Sequence, residues 1–309
     1  MDKEYHYHVN YIIAKMGGFD AQIAERIAHS SQLTDDNIKN FKILLPAGKC
    51  YSNQISQSID IRIKTQKLNH IYQCFHFQPG CLGARENETF WLTQANSPFS
   101  QEMLKKALEV GDPYLIGIAS HAFADTYAHH GFCGHSSQLN NPLGLRNIIN
   151  YGHLYFGDLP DLIGVKWYDI RHKKTVDNNR RFLRASLELL AFYLRHNGAG
   201  DGLISQQQQL LEALLTQIWG CSVIYFPGIN LRSRVRINQY KKYLVQLGCG
   251  EQITQISYSP KTWLQQAARY EKSTKTWVAN EGFYSSHWFN FQEAIKVYQQ
   301  IFGQNKEVI

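Results

Sequence analysis

Apolar positions recur at helical spacing along most of the chain, and Gly, Pro and Asp mark the joins. Val9 to Met16 is apolar with a 3.6-residue rhythm that Gly17-Gly18 ends. Asp20 then reads as the N-cap of a helix running to about His29. Ser97-Pro98 opens a helix to about Val110. Asp112-Pro113 opens another to about His130, with Gly131 as its stop. Further helices are expected over 180–196, 203–219, 234–247, 261–272 and 289–302. Residues 41–60 suggest short extended pieces, and Ser222 to Phe226 suggests a strand. Residues 131–180, rich in Gly, Asn, Pro and Asp, read as a long irregular segment, which in a compact domain usually serves function.

The pattern predicts a mainly α chain. Its 309 residues suffice for one large domain or two modest ones. The expected division is a helical region over 1–197 and a helical C-terminal region over 198–309 that stands beside it or packs on the same core. A hydrophobic share of 44% and a charged share of 18% describe a folded chain able to bury a sizeable core without a metal or disulfide to hold it together. Any metal cluster therefore calls for a functional explanation. The six cysteines form no CxxC pair, which argues against a Cys-ligated zinc site and a disulfide framework. A net charge of +7 favours phosphate-rich partners. The local runs Arg171-His172-Lys173-Lys174 and Arg232 to Arg236 are short and read as solvated faces. The start Met1-Asp2-Lys3-Glu4 has no basic segment followed by an apolar run, and no stretch is long and apolar enough to span a bilayer. The expected location is the cytoplasm, or export by a route that leaves no cleavable signal.

The histidines change the picture. Ten of the 13 lie at or before His153. The densest stretch is Ser120-His121-Ala122-Phe123-Ala124-Asp125-Thr126-Tyr127-Ala128-His129-His130. A step of four drifts only about 40° around an α-helix, so His121, Asp125 and His129 share one face. Ile118 and Ala122 set them in an apolar wall, where an unpaired carboxylate is costly. Chance yields about 0.02 copies of this spacing at this composition. Three such side chains on consecutive turns reach one metal, or two bridged by the carboxylate, and suit zinc, iron or manganese. A buried His–Asp hydrogen-bond network without metal is the competing reading. His6 and His8, the pair Asp35-Asp36, His76, His153 and Asp158 add further donors, each weak alone.

The segments 28–36, Phe75-His76-Phe77-Gln78-Pro79-Gly80, 117–131, and Gly152-His153 to Pro160 resemble, in the same order, a family of uncharacterised bacterial proteins. More distantly, the order of His and Asp is similar to the trinuclear site of zinc-dependent phospholipases C and single-strand-specific zinc nucleases, which are all-helical phosphodiesterases. That resemblance implies a phospholipase C/nuclease-like helical domain with a helical C-terminal extension. It implies metal ligation by His6, Asp36 (with Asp35 beside it), His76, His121, Asp125, His129, His153 and Asp158, with Asp125 as the bridge. In those enzymes the α-amino group of the mature chain is itself a ligand, whereas here five residues precede His6. Either one zinc site is then altered, or His8 substitutes as a donor.

The expected activity is phosphoester hydrolysis by a metal-activated water, with two to three divalent ions, most suitably zinc. Asp35 or Asp36 would act as the base, and Arg85, His130 or His135 would contact a phosphate oxygen. The expected partner is an anionic phosphoester, either lipid headgroup or nucleic acid, and peripheral membrane contact is compatible with the first. No stable protein partner is inferred. The alternatives are a non-catalytic, metal-stabilised helical binding or effector protein and, further off, an HD-type phosphohydrolase, which the absence of any His-Asp dipeptide disfavours.

Overall fold

Side-chain caps set where the main helices begin. Asp20 accepts the N–H groups of Gln22 and Ile23, Ser97 that of Ser100, Asp112 those of Tyr114 and Leu115, and Asp177 that of Arg180. In the computed structural model, which describes residues 1–58, 63–80, 88–141, 150–220, 233–250 and 258–307, the fold is mainly α. A wide-turned π-helix, Glu4–Val9, runs into α1 (Asn10–Met16). There follow α2 (Ala21–Asp36), α3 (Thr65–Phe75), α4 (Pro98–Val110), α5 (Pro113–Ala128), α6 (Asn178–His196), α7 (Asp201–Trp219), α8 (Ser233–Gln246), α9 (Thr262–Ala267) and α10 (His287–Glu307).

The centre is α5, buried on every side from Tyr114 to Ala128. A helix with no wet face must be surrounded, and α2, α4, α6 and α10 pack around this one. The approach of α2 is set by Gly117. A Cβ there would stand 2.4 Å from the Ile27 carbonyl oxygen and 2.6 Å from Ser30 Cβ. Only the missing side chain lets the two backbones come this close, and the crossing lies one turn ahead of His121.

Four local expectations differ from the structure. Helix α2 does not stop near His29 but continues to Asp36. Ser30, Ser31 and Gln32 read as a polar end, yet all three are buried, and the Thr34 hydroxyl donates back to the Ser30 carbonyl at 2.9 Å. Helix α3 was not anticipated. The stretch 131–180 holds short 3₁₀ turns and an antiparallel hairpin of β3 (Lys166–Asp169) and β4 (Lys174–Asp177). The helix expected over 261–272 breaks at Ala268 into β5 (Ala268–Glu271), which pairs with β6 (Thr276–Ala279). Strand β6 lies parallel to β1 (Lys42–Leu44), itself antiparallel to β2 (Cys50–Ser52), giving the order β2-β1-β6-β5. Pairing Ile43 with Trp277 is a long-range event that local periodicity does not encode. The strand expected at Ser222–Phe226 lies outside the described residues.

The C-terminal region packs on the same core. Beyond the shared sheet, the buried Arg236 of α8 forks onto buried Glu4 (Nε–Oε1 2.6 Å, Nη2–Oε2 2.8 Å), and Tyr240 donates to Glu4 Oε1 at 2.7 Å. From α10, Gln292 donates to Asn37 Oδ1 at 3.2 Å and accepts the Gln54 N–H at 3.2 Å. Among the described residues Cys50 and Cys249 are free thiols, and no helix is long and apolar enough to cross a membrane.

Candidate metal centre

Five elements bring imidazoles and carboxylates to one cleft. The π-helix supplies His6, the last turn of α2 supplies Asp35, and the C-cap of α3 supplies His76. Helix α5 supplies His121 and Asp125, with His129 at its C-cap. The following segment supplies His153 and Asp161 at successive 3₁₀ turns. Gly152 (φ +49°) makes room for this arrangement: a Cβ there would fall 2.3 Å from Cζ of Phe77, whose ring stacks on His129 at 4.4 Å.

Asp125 is the hub. Its Oδ1 lies 3.1 Å from His6 Nε2, and its Oδ2 lies 3.3 Å from His76 Nδ1, 3.2 Å from His121 Nε2 and 3.7 Å from His129 Nδ1. Asp35 Oδ1 stands 3.6 Å from His76 Nδ1 and 3.7 Å from His121 Nε2. Asp161 reaches His129 Nε2 through Oδ1 at 3.0 Å and His153 Nε2 through Oδ2 at 3.1 Å. Three donor groups result: His6–His121–Asp125, Asp35–His76–His121 and His129–His153–Asp161. The amino group of Met1, also buried here, pairs with Asp125 and lies 3.3 Å from Asp161 Oδ1.

The hydrogen bonds on the far sides of the rings show that a cation fits. His76 Nε2–H donates to the Ser56 carbonyl (2.9 Å), His129 Nδ1–H to the His76 carbonyl (2.7 Å), and His153 Nδ1–H to the Gly157 carbonyl (2.9 Å). With these tautomers, assigned from the hydrogen-bond network, the opposite nitrogens of these three rings turn bare lone pairs on carboxylate oxygens. His76 Nδ1 and His121 Nε2 are only 3.1 Å apart. Acceptors facing acceptors repel unless the rings are imidazolium or a cation lies among them. Donors about 2.0–2.1 Å from a tetrahedral zinc sit roughly 3.3 Å from one another, and the contacts here span 3.0 to 3.7 Å around that value. A ligating histidine anchored to a backbone carbonyl through its other nitrogen is the usual support of a metal site. His121 is held instead by stacking on His6, centroids 3.9 Å apart.

The electrostatics divide the cluster into two sets. Asp125 is held well below the usual carboxylate range: burial opposes this, but the Met1 ammonium, His129, His121 and His6 prevail. Asp161 is also held well below that range, with His153, the ammonium and His129 outweighing burial. His6 is pushed well down by burial, then by His121 and the ammonium. Burial lowers His129 despite Asp125 and Asp161. Ionised carboxylates beside neutral imidazoles are the protonation states that bind a metal. His121 and His153 are raised, because Asp125 with Asp35, and Asp161, outweigh burial. Burial raises Asp35, and the ammonium rises to about 11, the carboxylates overcoming its burial.

Not every residue anticipated from sequence arrives here. Asp158 is exposed and only lines the mouth of the cleft; the carboxylate between His129 and His153 belongs to Asp161, one 3₁₀ turn later. Asp36 joins no donor group. It lines the cleft wall and accepts from Gln32 Nε2 at 3.0 Å, while Asp35 faces the histidines. His8 is buried beside Tyr240 (6.3 Å, 19°), away from the cluster, and burial lowers it to about 3. His130 lines a different concavity, and His135 lies against Trp91 with 6.2 Å between centroids. Arg85 lies outside the described residues. Sequence reasoning missed Asp161, and also the Ser56 carbonyl, which Asn37 positions by donating to Gln54 O (2.8 Å) and Ser56 Oγ (3.1 Å). The cleft holds about 360 Å³ and is walled by Ile38, Tyr72, Phe77, Tyr151 and Leu154.

A model of a family of unknown function, DUF6765, matches residues 1–305, and the chain belongs to that family. No curated protein and no solved structure matches it.

Proposed function

We propose that this member of the DUF6765 family is a metal-dependent hydrolase of phosphoesters, built around two to three divalent ions, most suitably zinc. The observation that carries the reading is the convergence of lone pairs: His76, His129 and His153 each spend one nitrogen on a backbone carbonyl and turn the other toward a carboxylate. His6, His121 and Asp125 would hold one ion, Asp35 and His76 with His121 a second, and His129, His153 and Asp161 a third, with Asp125 central to the set. Divalent ions bound there would supply an acidified water and neutralise charge on phosphoryl oxygens.

The remaining roles fall to the chain. Asp36 and Asp158 line the cleft without belonging to a donor group. Asp36, anchored by Gln32, would orient the attacking water and take its proton. Phe77, Tyr72 and Tyr151 form an aromatic wall that limits water and would cover the organic part of the substrate. The order of donors along the chain supports a likeness to zinc phospholipases C and single-strand-specific nucleases, and the anionic substrate would be a lipid headgroup or a nucleic acid.

The test is turnover by zinc-loaded protein on bis(p-nitrophenyl) phosphate, a phosphatidylcholine dispersion and a single-stranded oligonucleotide. Hydrolysis of at least one, abolished by Asp125→Ala and slowed by Asp36→Asn with metal content retained, supports the reading. Full metal content with no turnover on any phosphoester overturns it in favour of a non-catalytic, metal-stabilised module.

A further inference from the structure

A second concavity, of about 260 Å³, opens between the β3–β4 hairpin and the first turn of α6. It shares no lining residue with the metal cleft. Its wall carries His130, His172, Lys174, Thr175, Arg180 and Arg181. Two carboxylates also line it, and both are engaged. Asp169 is clamped by Arg171 (Nε–Oδ1 3.0 Å, Nη2–Oδ2 2.7 Å), and Asp177 pairs with Lys166 at 3.0 Å. Lys174, Arg180 and Arg181 form no ion pair among the described residues. Three permanent positive charges thus line one hollow without an ion-pair partner among the described residues.

Arg181 is the most telling of them. Its Nη1 donates to the carbonyls of Tyr127 (3.1 Å) and Ala128 (2.8 Å), and its Nη2 to the Pro160 carbonyl (3.1 Å) and to Asn178 Oδ1. Its Nε is buried with no acceptor among the described residues. A guanidinium drawn inward onto carbonyls satisfies the hydrogen bonds of its Nη atoms but not its charge, and burial outweighs the nearby carboxylates of Asp161, Asp169 and Asp177. His130 adds a directed donor: its Nδ1 accepts the Ala95 N–H at 3.4 Å, so in the neutral ring Nε2 carries the proton.

We propose that this hollow is a binding site for a phosphate dianion, as inorganic phosphate or as the head of a phosphomonoester. Three unpaired cations suit a charge of two better than a carboxylate's one. The Arg180 guanidinium, the Lys174 ammonium, the His130 and His172 rings and the Thr175 hydroxyl offer more donors than a carboxylate's two oxygens accept. The site stands apart from the metal cleft and does not depend on its chemistry. Arg181 nevertheless bonds the carbonyls of Ala128 and Pro160, each one residue ahead of a metal-donor residue, His129 and Asp161. The basic run Arg171 to Lys174 thereby gains a role beyond solvation.

Calorimetric titration of the purified protein with inorganic phosphate at low salt tests this, on wild type, on the Lys174→Ala/Arg180→Ala double variant and on Asp125→Ala. Both residues of the double variant are exposed, so its fold should stand, which a thermal melt checks. The expected result is binding in wild type and in Asp125→Ala, weakened about tenfold or more in the double variant, the equivalent of losing one charge-assisted contact. Equal affinity in wild type and double variant, or loss of binding only in Asp125→Ala, overturns the proposal. Sedimentation with phosphatidylcholine vesicles, with and without phosphatidic acid, separates the sources. Capture that needs phosphatidic acid and fails in the double variant identifies a lipid-borne phosphomonoester. Calorimetric binding without vesicle capture identifies free phosphate.

Discussion

Asp161 Oδ1 stands 3.0 Å from His129 Nε2, and the other oxygen of the same carboxylate stands 3.1 Å from His153 Nε2. One side chain thereby joins the end of α5 to the turn that carries His153. Asp158, on the same turn, faces solvent. Asp161→Asn should therefore lose about one metal equivalent per chain, the neutral amide being a poor ligand, while Asp158→Asn keeps the wild-type content. Elemental analysis of the two variants decides it, and the reverse result would return the role to Asp158.

The spacing between α2 and α5 is a second handle. Gly117→Ala places a methyl 2.4 Å from the Ile27 carbonyl. The cost should be about 1–3 kcal/mol in urea unfolding, with loss of metal as Asp35 and His121 are moved apart. Gly202→Ala, in α7 with open space around it, should instead be neutral or stabilising by up to about 1 kcal/mol.

Arg236 and Glu4 are both 2% exposed and form a bidentate pair. Arg236→Ala strands the Glu4 carboxylate in the core and should cost about 3–5 kcal/mol, with the Glu4→Gln/Arg236→Met double variant losing less. Because Glu4 opens the π-helix that presents His6, metal affinity should fall along with stability in the single variant. Chemical denaturation with and without added zinc measures both.

The sequence shows most plainly what a single helix carries. His121, Asp125 and His129 are legible because a step of four keeps one face, and the caps Asp20, Ser97 and Asp112 are legible because their chemistry is local. The choice between Asp35 and Asp36 was not. It depends on α2 continuing past Ser30-Ser31-Gln32, and that polar stretch stays helical because Gly117 lets α5 cover it. With the helix intact, Asp35 lies one turn beyond Ser31, whose hydroxyl is 3.4 Å from His6 Nδ1, so both face the cluster. Asp161 was hidden because the 3₁₀ turn Leu159–Asp161, not legible in the periodicity, sets the later carboxylate against His129 and His153. The expected 261–272 helix breaks at Ala268 because β5 pairs with β6, which is itself paired to β1 across more than 200 residues, a contact to which hydrophobic spacing is blind.

His8 gives a pH signature separate from metal loss. It is buried, and its folded value is lowered to about 3. A depressed folded value means that the unfolded chain takes up the proton first, so stability is full above about pH 6.5 and is lost as pH falls toward 3. At pH 5 the loss from this group should be about 2 kcal/mol relative to pH 7. His8→Phe, which keeps an aromatic ring beside Tyr240, should show a pH 5 to pH 7 stability difference smaller by that amount, read by urea unfolding at the two pH values. An unchanged difference would place the titration elsewhere.

The central claim is that the five imidazoles and three carboxylates of this cluster, Asp125 among them, exist to hold divalent ions. The most direct measurement is elemental analysis of the purified protein, alone and as Asp125→Ala. The account predicts two to three equivalents of a divalent transition metal per chain, zinc foremost, with most of it lost from the variant. A wild-type protein that folds and stays metal-free after equilibration with zinc would contradict it and leave a hydrogen-bonded His–Asp network in its place.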